Sequence, residues 1–170
     1  MFKWTIAAWC AIGMFPPAAI AGCDAVLIAS VKNRFPDWVI VTQRNYSQDE
    51  HGHITELHPS DCAGIVQGNF ESKSSHGFAM IISKGFPDGT HEMLLVASPD
   101  RGHYKISVLD ESSGLFSLSR VSKLPAGEYE SSDGRTFSVR GESIVYEGSG
   151  TGARLFFFER GKYRSESIRD

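Results

Sequence analysis

The spacing of apolar residues changes once along the chain, close to Pro36. Between Asp24 and Pro36 the apolar residues recur at helical intervals, so that Leu27, Val31 and Phe35 share one face. Asp24 is a suitable N-cap residue, and a proline cannot continue a helix. We therefore predict a helix that begins after Asp24 and ends before Pro36.

Beyond Pro36, apolar and polar residues alternate in short runs, which is typical of β-strands. Clusters of Gly, Pro and Asp separate these runs at intervals too short for a βαβ crossover, so we expect hairpin connections. The predicted strands occupy residues 38–44, 64–70, 77–84, 91–98, 103–110, 135–141, 142–148, 153–161 and 162–168.

Two of these runs, 77–84 and 91–98, are apolar on both faces, so we expect them to be central strands. Residues 45–61 are polar, and residues 111–126 are predicted to be irregular. The whole pattern predicts an α+β fold that is mostly β. We expect an antiparallel twisted sheet, of meander or sandwich type, with one N-terminal helix packed on it.

Residues 1–21 have the features of an export signal. Lys3 gives a positive start, an uncharged and mostly apolar run extends to Phe15, and Ala19-Ile20-Ala21 is a small-x-small cleavage site. The apolar run is shorter than the roughly 20 residues that a membrane-spanning helix needs. We therefore expect a signal peptide at 1–21 and a single β-rich exported domain at 22–170, without a stable membrane span.

Two cysteines, Cys23 and Cys62, remain after the predicted cleavage. Ile20-Ala21-Gly22-Cys23 fits a bacterial lipobox, which would make the protein a membrane-anchored lipoprotein and leave Cys62 as an orphan thiol. Lipoproteins usually have a polar tether after this cysteine, whereas here the predicted helix follows at once. We favour a Cys23–Cys62 disulfide in a periplasmic or secreted protein, and the lipid anchor on Cys23 is the alternative.

The charge of the predicted mature chain restricts its partners. The full chain has 17 Lys and Arg and 20 Asp and Glu, so loss of Lys3 leaves 16 basic residues and a net charge of −4. An acidic chain is a poor match for nucleic acid or anionic lipid. The glycine-rich residues 147–152 lack the lysine and helix of a phosphate loop, and no Gly-x-Ser-x-Gly elbow is present. We predict no catalytic residue and no cofactor.

Residues 45–61, here called the acidic segment, carry four carboxylates and no lysine or arginine. A His-x-His pair could chelate a metal ion, but we favour a solvated polar loop and predict no metal site. Loops of this length are usually either functional or disordered. We hypothesise that the segment contacts a basic protein partner, and a connector without a binding role is the alternative. The predicted partner-binding residues are Asp49, Glu50, His51, His53, Glu56 and His58.

These features favour a non-enzymatic binding protein of the cell envelope, such as an inhibitor or immunity protein acting on a secreted or wall-degrading enzyme. Peptidoglycan hydrolases are often basic, and an acidic loop held by a rigid sheet could occlude their clefts. One alternative is an envelope hydrolase whose His and carboxylate site is not apparent from the sequence. Another is a structural envelope module.

The segment GNFESKSSHGFAMII, residues 68–82, resembles the loop and strand of FG-GAP or integrin-type repeats. In that family acidic side chains bind calcium, which needs several oxygen ligands. The retained positions are Gly68, Phe70, Phe78 and Ala79, and the acidic positions fall on Asn69, Glu71, Lys73 and Gly77. A lysine among the ligands opposes cation binding, so the resemblance implies the strand frame without a calcium site.

The chain after residue 21 is also similar over most of its length to a group of small exported bacterial envelope proteins. The similarity implies the fold and the Cys23–Cys62 disulfide, and it implies no activity. The shared motifs are Cys23-Asp24-Ala25, Phe35-Pro36, Cys62-Ala63-Gly64-Ile65, Pro125-Ala126-Gly127-Glu128-Tyr129 and the aromatic hairpin from Phe156 to Tyr163.

Overall fold

The structure is a computed structural model that describes residues 24–42, 45–46, 64–85, 90–115, 118–148 and 152–168. All strand pairs in these residues are antiparallel, and α1 precedes them, so the prediction of an α+β, mostly β fold is confirmed. The elements are α1 (Ala25–Arg34), β1 (Val39–Ile40), β2 (Ile65–Ser72), β3 (Ser75–Lys84), β4 (Thr90–Asp100), β5 (His103–Leu115), β6 (Arg120–Leu124), β7 (Gly127–Glu130), β8 (Thr136–Val139), β9 (Ser143–Gly148), β10 (Gly152–Glu159) and β11 (Lys162–Ile168).

The predicted helix is present and begins where the sequence indicated. Asp24 Oδ1 accepts hydrogen bonds from the backbone N–H groups of Val26 at 2.8 Å and Leu27 at 3.1 Å, as an N-cap residue does. Its Oδ2 accepts the hydroxyl of Tyr104 on β5 at 2.7 Å, and this hydrogen bond is the main cause that lowers the pKa of Asp24. Arg34 at the other end donates to the Ile106 carbonyl, so both ends of α1 are tied to β5.

The first sheet has the strand order β3-β4-β5, with β1 and β2 both paired to the remaining edge of β3. β1 pairs with Ile82 and Ser83, whereas β2 pairs with residues from Ser75 to Met80, so the two strands follow one another along that edge. Of the strand predicted at 38–44, the structure describes residues 38–42, and β1 covers only Val39 and Ile40. Its continuation is broken because Thr42 donates from its backbone N–H and its hydroxyl to Asn45 Oδ1.

The second sheet has the order β11-β10-β9-β6, and β7 and β8 form a separate hairpin. The prediction that residues 111–126 are irregular was wrong, since β5 extends to Leu115 and β6 occupies Arg120–Leu124. Only Val121 of β6 is fully buried among partly exposed polar neighbours. A strand with one buried side chain leaves a weak alternation, which is why the sequence pattern missed it.

The two sheets pack face to face as a sandwich. With α1 on one side and the β7–β8 hairpin on the other, the molecule has four layers. The central core contains Ile81, Leu94 and Val96 of the first sheet and Ile144 and Phe156 of the second. A further core lies between the first sheet and α1, and another lies between the second sheet and the β7–β8 hairpin. Both outer faces of the sandwich are therefore covered.

Candidate functional site

Val41 and Gly64 lie against each other where β1 and β2 meet. The Val41 N–H donates to the Ile81 carbonyl at 2.9 Å, and the Ile81 N–H donates to the Gly64 carbonyl at 3.0 Å. A Cβ atom on Gly64 would lie 2.2 Å from the Val41 carbonyl oxygen, so no larger residue fits without a backbone shift. The chain therefore leaves and re-enters the first sheet at one point, and the acidic segment lies between the two ends.

The first residues of the acidic segment are anchored to the second sheet. Asn45 N–H donates to the Thr42 carbonyl at 3.0 Å, which forms a turn directly after β1. Tyr46 is buried in the central core, and its hydroxyl donates to the Ser119 carbonyl at 2.8 Å. Ser119 directly precedes β6, so the chain contacts both sheets before the run of carboxylates begins.

All of the predicted site residues lie outside the described residues, so the disulfide and the partner-binding surface both stay predictions. These residues are Cys23, Asp49, Glu50, His51, His53, Glu56, His58 and Cys62.

One buried carboxyl group, that of Glu92 on β4, was not predicted from the sequence. It is fully buried on the inward face that also carries Leu94 and Val96. The Ser119 backbone N–H lies 3.1 and 3.2 Å from its two oxygens, and the Tyr146 hydroxyl donates to Oε2 at 3.3 Å. Burial raises the pKa of Glu92, and these hydrogen bonds oppose the rise only in part.

The described residues around the Glu92 carboxyl are uncharged. Ser83 and Ser112 are its cross-strand partners, and the Tyr146 hydroxyl lies 3.5 Å from Ser112 Oγ. Within the described part of the chain, no lysine, arginine or histidine forms an ion pair with Glu92. A buried carboxyl without a cation is more stable protonated, so this cluster favours a neutral Glu92.

A pocket of about 150 Å³ opens at the same end of the sandwich. Val39, Val41 and Leu118 form apolar walls, and Asn45 and Ser83 add polar groups. Ser83 belongs both to this pocket and to the surroundings of Glu92, while Val41 and Asn45 flank the start of the acidic segment. One end of the molecule therefore combines a pocket, the buried carboxyl group of Glu92 and the start of the acidic segment. We call this end the segment base.

Residues 68–77 align with the calcium-binding loop of FG-GAP repeats in the resemblance described above. They belong to a hairpin of β2 and β3 in which Ser72 pairs with Ser75. The Asn69 N–H donates at 2.6 Å to the Glu142 carboxylate, which also binds Lys123 at 2.9 Å. The Asn69 hydrogen bond is the main cause that lowers the pKa of Glu142. Among the described residues, no group of three or more His, Cys, Asp or Glu could hold a metal ion.

Comparison of the chain with protein-family models, with curated proteins and with solved structures finds no match. In the ranges that the structure describes, no helix is both long enough and apolar enough to cross a membrane.

Proposed function

We propose that the protein is a non-enzymatic binding protein of the cell envelope, an inhibitor or immunity protein whose acidic segment contacts a basic secreted or wall-degrading enzyme. The proposal places it in the periplasm or outside the cell. The observation that carries it is the contact between Val41 and Gly64, because this contact closes the acidic segment at its base.

The closed base matters for binding because it restrains the chain on either side of the segment, at Val41 and at Gly64, before any partner arrives. Residues restrained in advance lose less conformational freedom on association, so more of the contact energy is retained as affinity. The backbone of β3 holds Val41 and Gly64 directly, and Tyr46 adds a side-chain anchor to Ser119. A contact element mounted on a packed sandwich is thus supported by two sheets.

The charge of the segment determines the kind of partner. Its four carboxylates occur without a lysine or arginine, while the other residues after position 21 carry both signs. Such a local excess of negative charge attracts a basic surface, speeds association and makes it sensitive to salt. The complementary partner is therefore a basic protein.

The test begins with capture of envelope proteins on the immobilised full-length mature protein at low salt. A basic enzyme should be retained and should be released as ionic strength rises. With that enzyme in hand, the combined substitution Asp49→Ser, Glu50→Ser and Glu56→Ser should lower the association rate roughly tenfold. Inhibition of the captured enzyme by the wild-type protein would support the inhibitory role.

A matched control removes three exposed carboxylates elsewhere, through Glu111→Ser, Glu128→Ser and Glu147→Ser. Both triple variants change the net charge equally, so a slower association confined to the first variant locates the contact. An equal effect of the two variants, or no effect of either, would exclude the acidic segment as the contact element. Circular dichroism confirms that each variant is folded.

A further inference from the structure

The pocket at the segment base supports a proposal that does not use the carboxylates of the acidic segment. We propose that it binds a small zwitterion, an α-amino acid with a short aliphatic side chain. The charged groups of such a ligand would contact Lys84 and Asp37 at the rim, and its side chain would enter the pocket between Val41 and Leu118.

The rim presents one charge of each sign. Lys84 Nζ lies 3.8 Å from Asp37 Oδ2, which is beyond hydrogen-bond distance, and the two side chains are 52% and 75% exposed. Each group therefore keeps its hydrogen-bonding capacity for a ligand. An α-amino acid has a carboxylate for Lys84 and an ammonium for Asp37. A simple carboxylate would be repelled by Asp37, and a simple amine by Lys84.

The interior of the pocket suits a short aliphatic group. Its volume of about 150 Å³ is comparable to that of a cavity that accepts benzene, so a body of about six heavy atoms fits. Val39, Val41 and Leu118 supply apolar walls from the first sheet and from the chain before β6. A long or branched polar ligand would have no matching wall.

Two polar side chains, those of Ser83 and Asn45, line the pocket. Ser83 is only 5% exposed, and its Oγ is buried without a hydrogen-bond partner. Unpaired buried hydroxyls are uncommon, because folding normally satisfies them. Asn45 uses its Oδ1 to accept from Thr42, which leaves its amide nitrogen to donate. The Asn45 amide can fix the orientation of a ligand whose charged end lies at Lys84 and Asp37.

The experiment is calorimetric titration of the full-length mature protein with three molecules of similar shape. L-valine carries both charges, isovalerate lacks the ammonium, and isobutylamine lacks the carboxylate. We expect L-valine to bind at least tenfold more tightly than either of the others. Equal binding of L-valine and isovalerate, or no detectable heat with L-valine at millimolar concentration, would overturn the proposal.

Variants locate the site. Lys84→Met and Asp37→Asn should each weaken L-valine binding roughly tenfold, because each removes one charged contact from an exposed rim position. Lys162→Met, a change of the same kind at an exposed position on β11, should leave L-valine binding unchanged. If Lys84→Met binds as the wild type does, or if Lys162→Met weakens binding as much, the ligand does not occupy this pocket.

Discussion

Glu92 is an ionisable side chain on a strand face that also carries the buried Leu94 and Val96. The groups around its carboxyl are hydroxyls and one backbone N–H. Protonation removes the cost of a buried negative charge. The carboxyl group is therefore a pH-sensitive component of the central core.

The substitution Glu92→Gln should reduce the pH dependence of stability. The folded-state pKa of Glu92 lies above the unfolded value near 4.5, so the folded protein binds its proton more tightly. The free energy of unfolding therefore falls as pH rises from the unfolded pKa through the raised folded pKa, and then levels off. Urea denaturation between pH 4 and pH 8 should show this fall in the wild type and less of it in the variant.

Glu111→Gln is the control for this experiment, since Glu111 is exposed on β5. The control should follow the wild-type curve. If Glu92→Gln also follows the wild-type curve over the whole range, the carboxyl of Glu92 stays ionised in the folded protein and the interpretation is wrong.

Calcium should not bind to residues 68–77. Lys73 would bring a positive charge to a ligand position, and Gly77 has no side-chain oxygen. A Cβ atom at Gly77 would lie 3.1 Å from the Ala97 carbonyl oxygen, so this glycine allows β3 and β4 to pack closely. Calorimetric titration with calcium should give no binding heat, whereas a micromolar affinity that Glu71→Ala abolishes would contradict the prediction.

At the scale of elements, the shared edge of β3 depends on Gly64. Gly64→Ala should lower the free energy of unfolding by about 1–3 kcal/mol, because its Cβ would collide with the Val41 carbonyl and separate β1 from β2. Urea denaturation measures the change. Gly141→Ala is the matched control, since its nearest atom, the Asn69 carbonyl oxygen, would lie at an ordinary 3.6 Å. Equal stability of the two variants would show that the backbone yields at no cost.

The histidines of the acidic segment should make partner binding sensitive to pH. His51, His53 and His58 are expected to be mostly neutral at pH 7, and their protonation below about pH 6 would offset much of the negative charge. Association with the captured basic enzyme should therefore slow as pH falls from 7 to 5.5. A variant with all three changed to Gln should lose this dependence, and a variant that keeps it would assign the effect to the enzyme.

Strands with a complete apolar face could be predicted from the sequence, whereas sites assembled from several elements could not. The alternation or continuous apolarity of β3, β4 and β10 reflects burial, which is a property of each segment alone. The pocket depends on Asp37, Asn45, Ser83 and Leu118, which are far apart in the sequence and meet only in the folded sandwich. For Glu92, the alternation with Leu94 was a usable signal, since residues two apart point to the same face of a strand.

At the scale of the whole molecule, α1 and the β7–β8 hairpin cover the two outer faces of the sandwich. Few apolar side chains are exposed among the described residues, and the large ones are Val26, Val39 and Val108. These three residues belong to three different elements, α1, β1 and β5.

Processing should produce a chain that begins at Gly22 and contains a Cys23–Cys62 disulfide. Intact-mass analysis of the exported protein should give the mass of residues 22–170 less two hydrogens, and reduction should restore them. The physical reason is that an oxidising compartment pairs the two remaining cysteines. An acyl increase on Cys23 would instead identify the lipid-anchored form.

The end-to-end arrangement of β1 and β2 has a consequence for engineering. Because Val41 and Gly64 are held side by side by Ile81, the register of the first sheet does not depend on the chain that joins them. A foreign peptide could replace residues 47–61 while Tyr46 and Gly64 stay in place, and the sandwich would serve as a display scaffold with a closed insertion point. For the same reason, residues 47–61 could change in sequence during evolution while the fold stays the same.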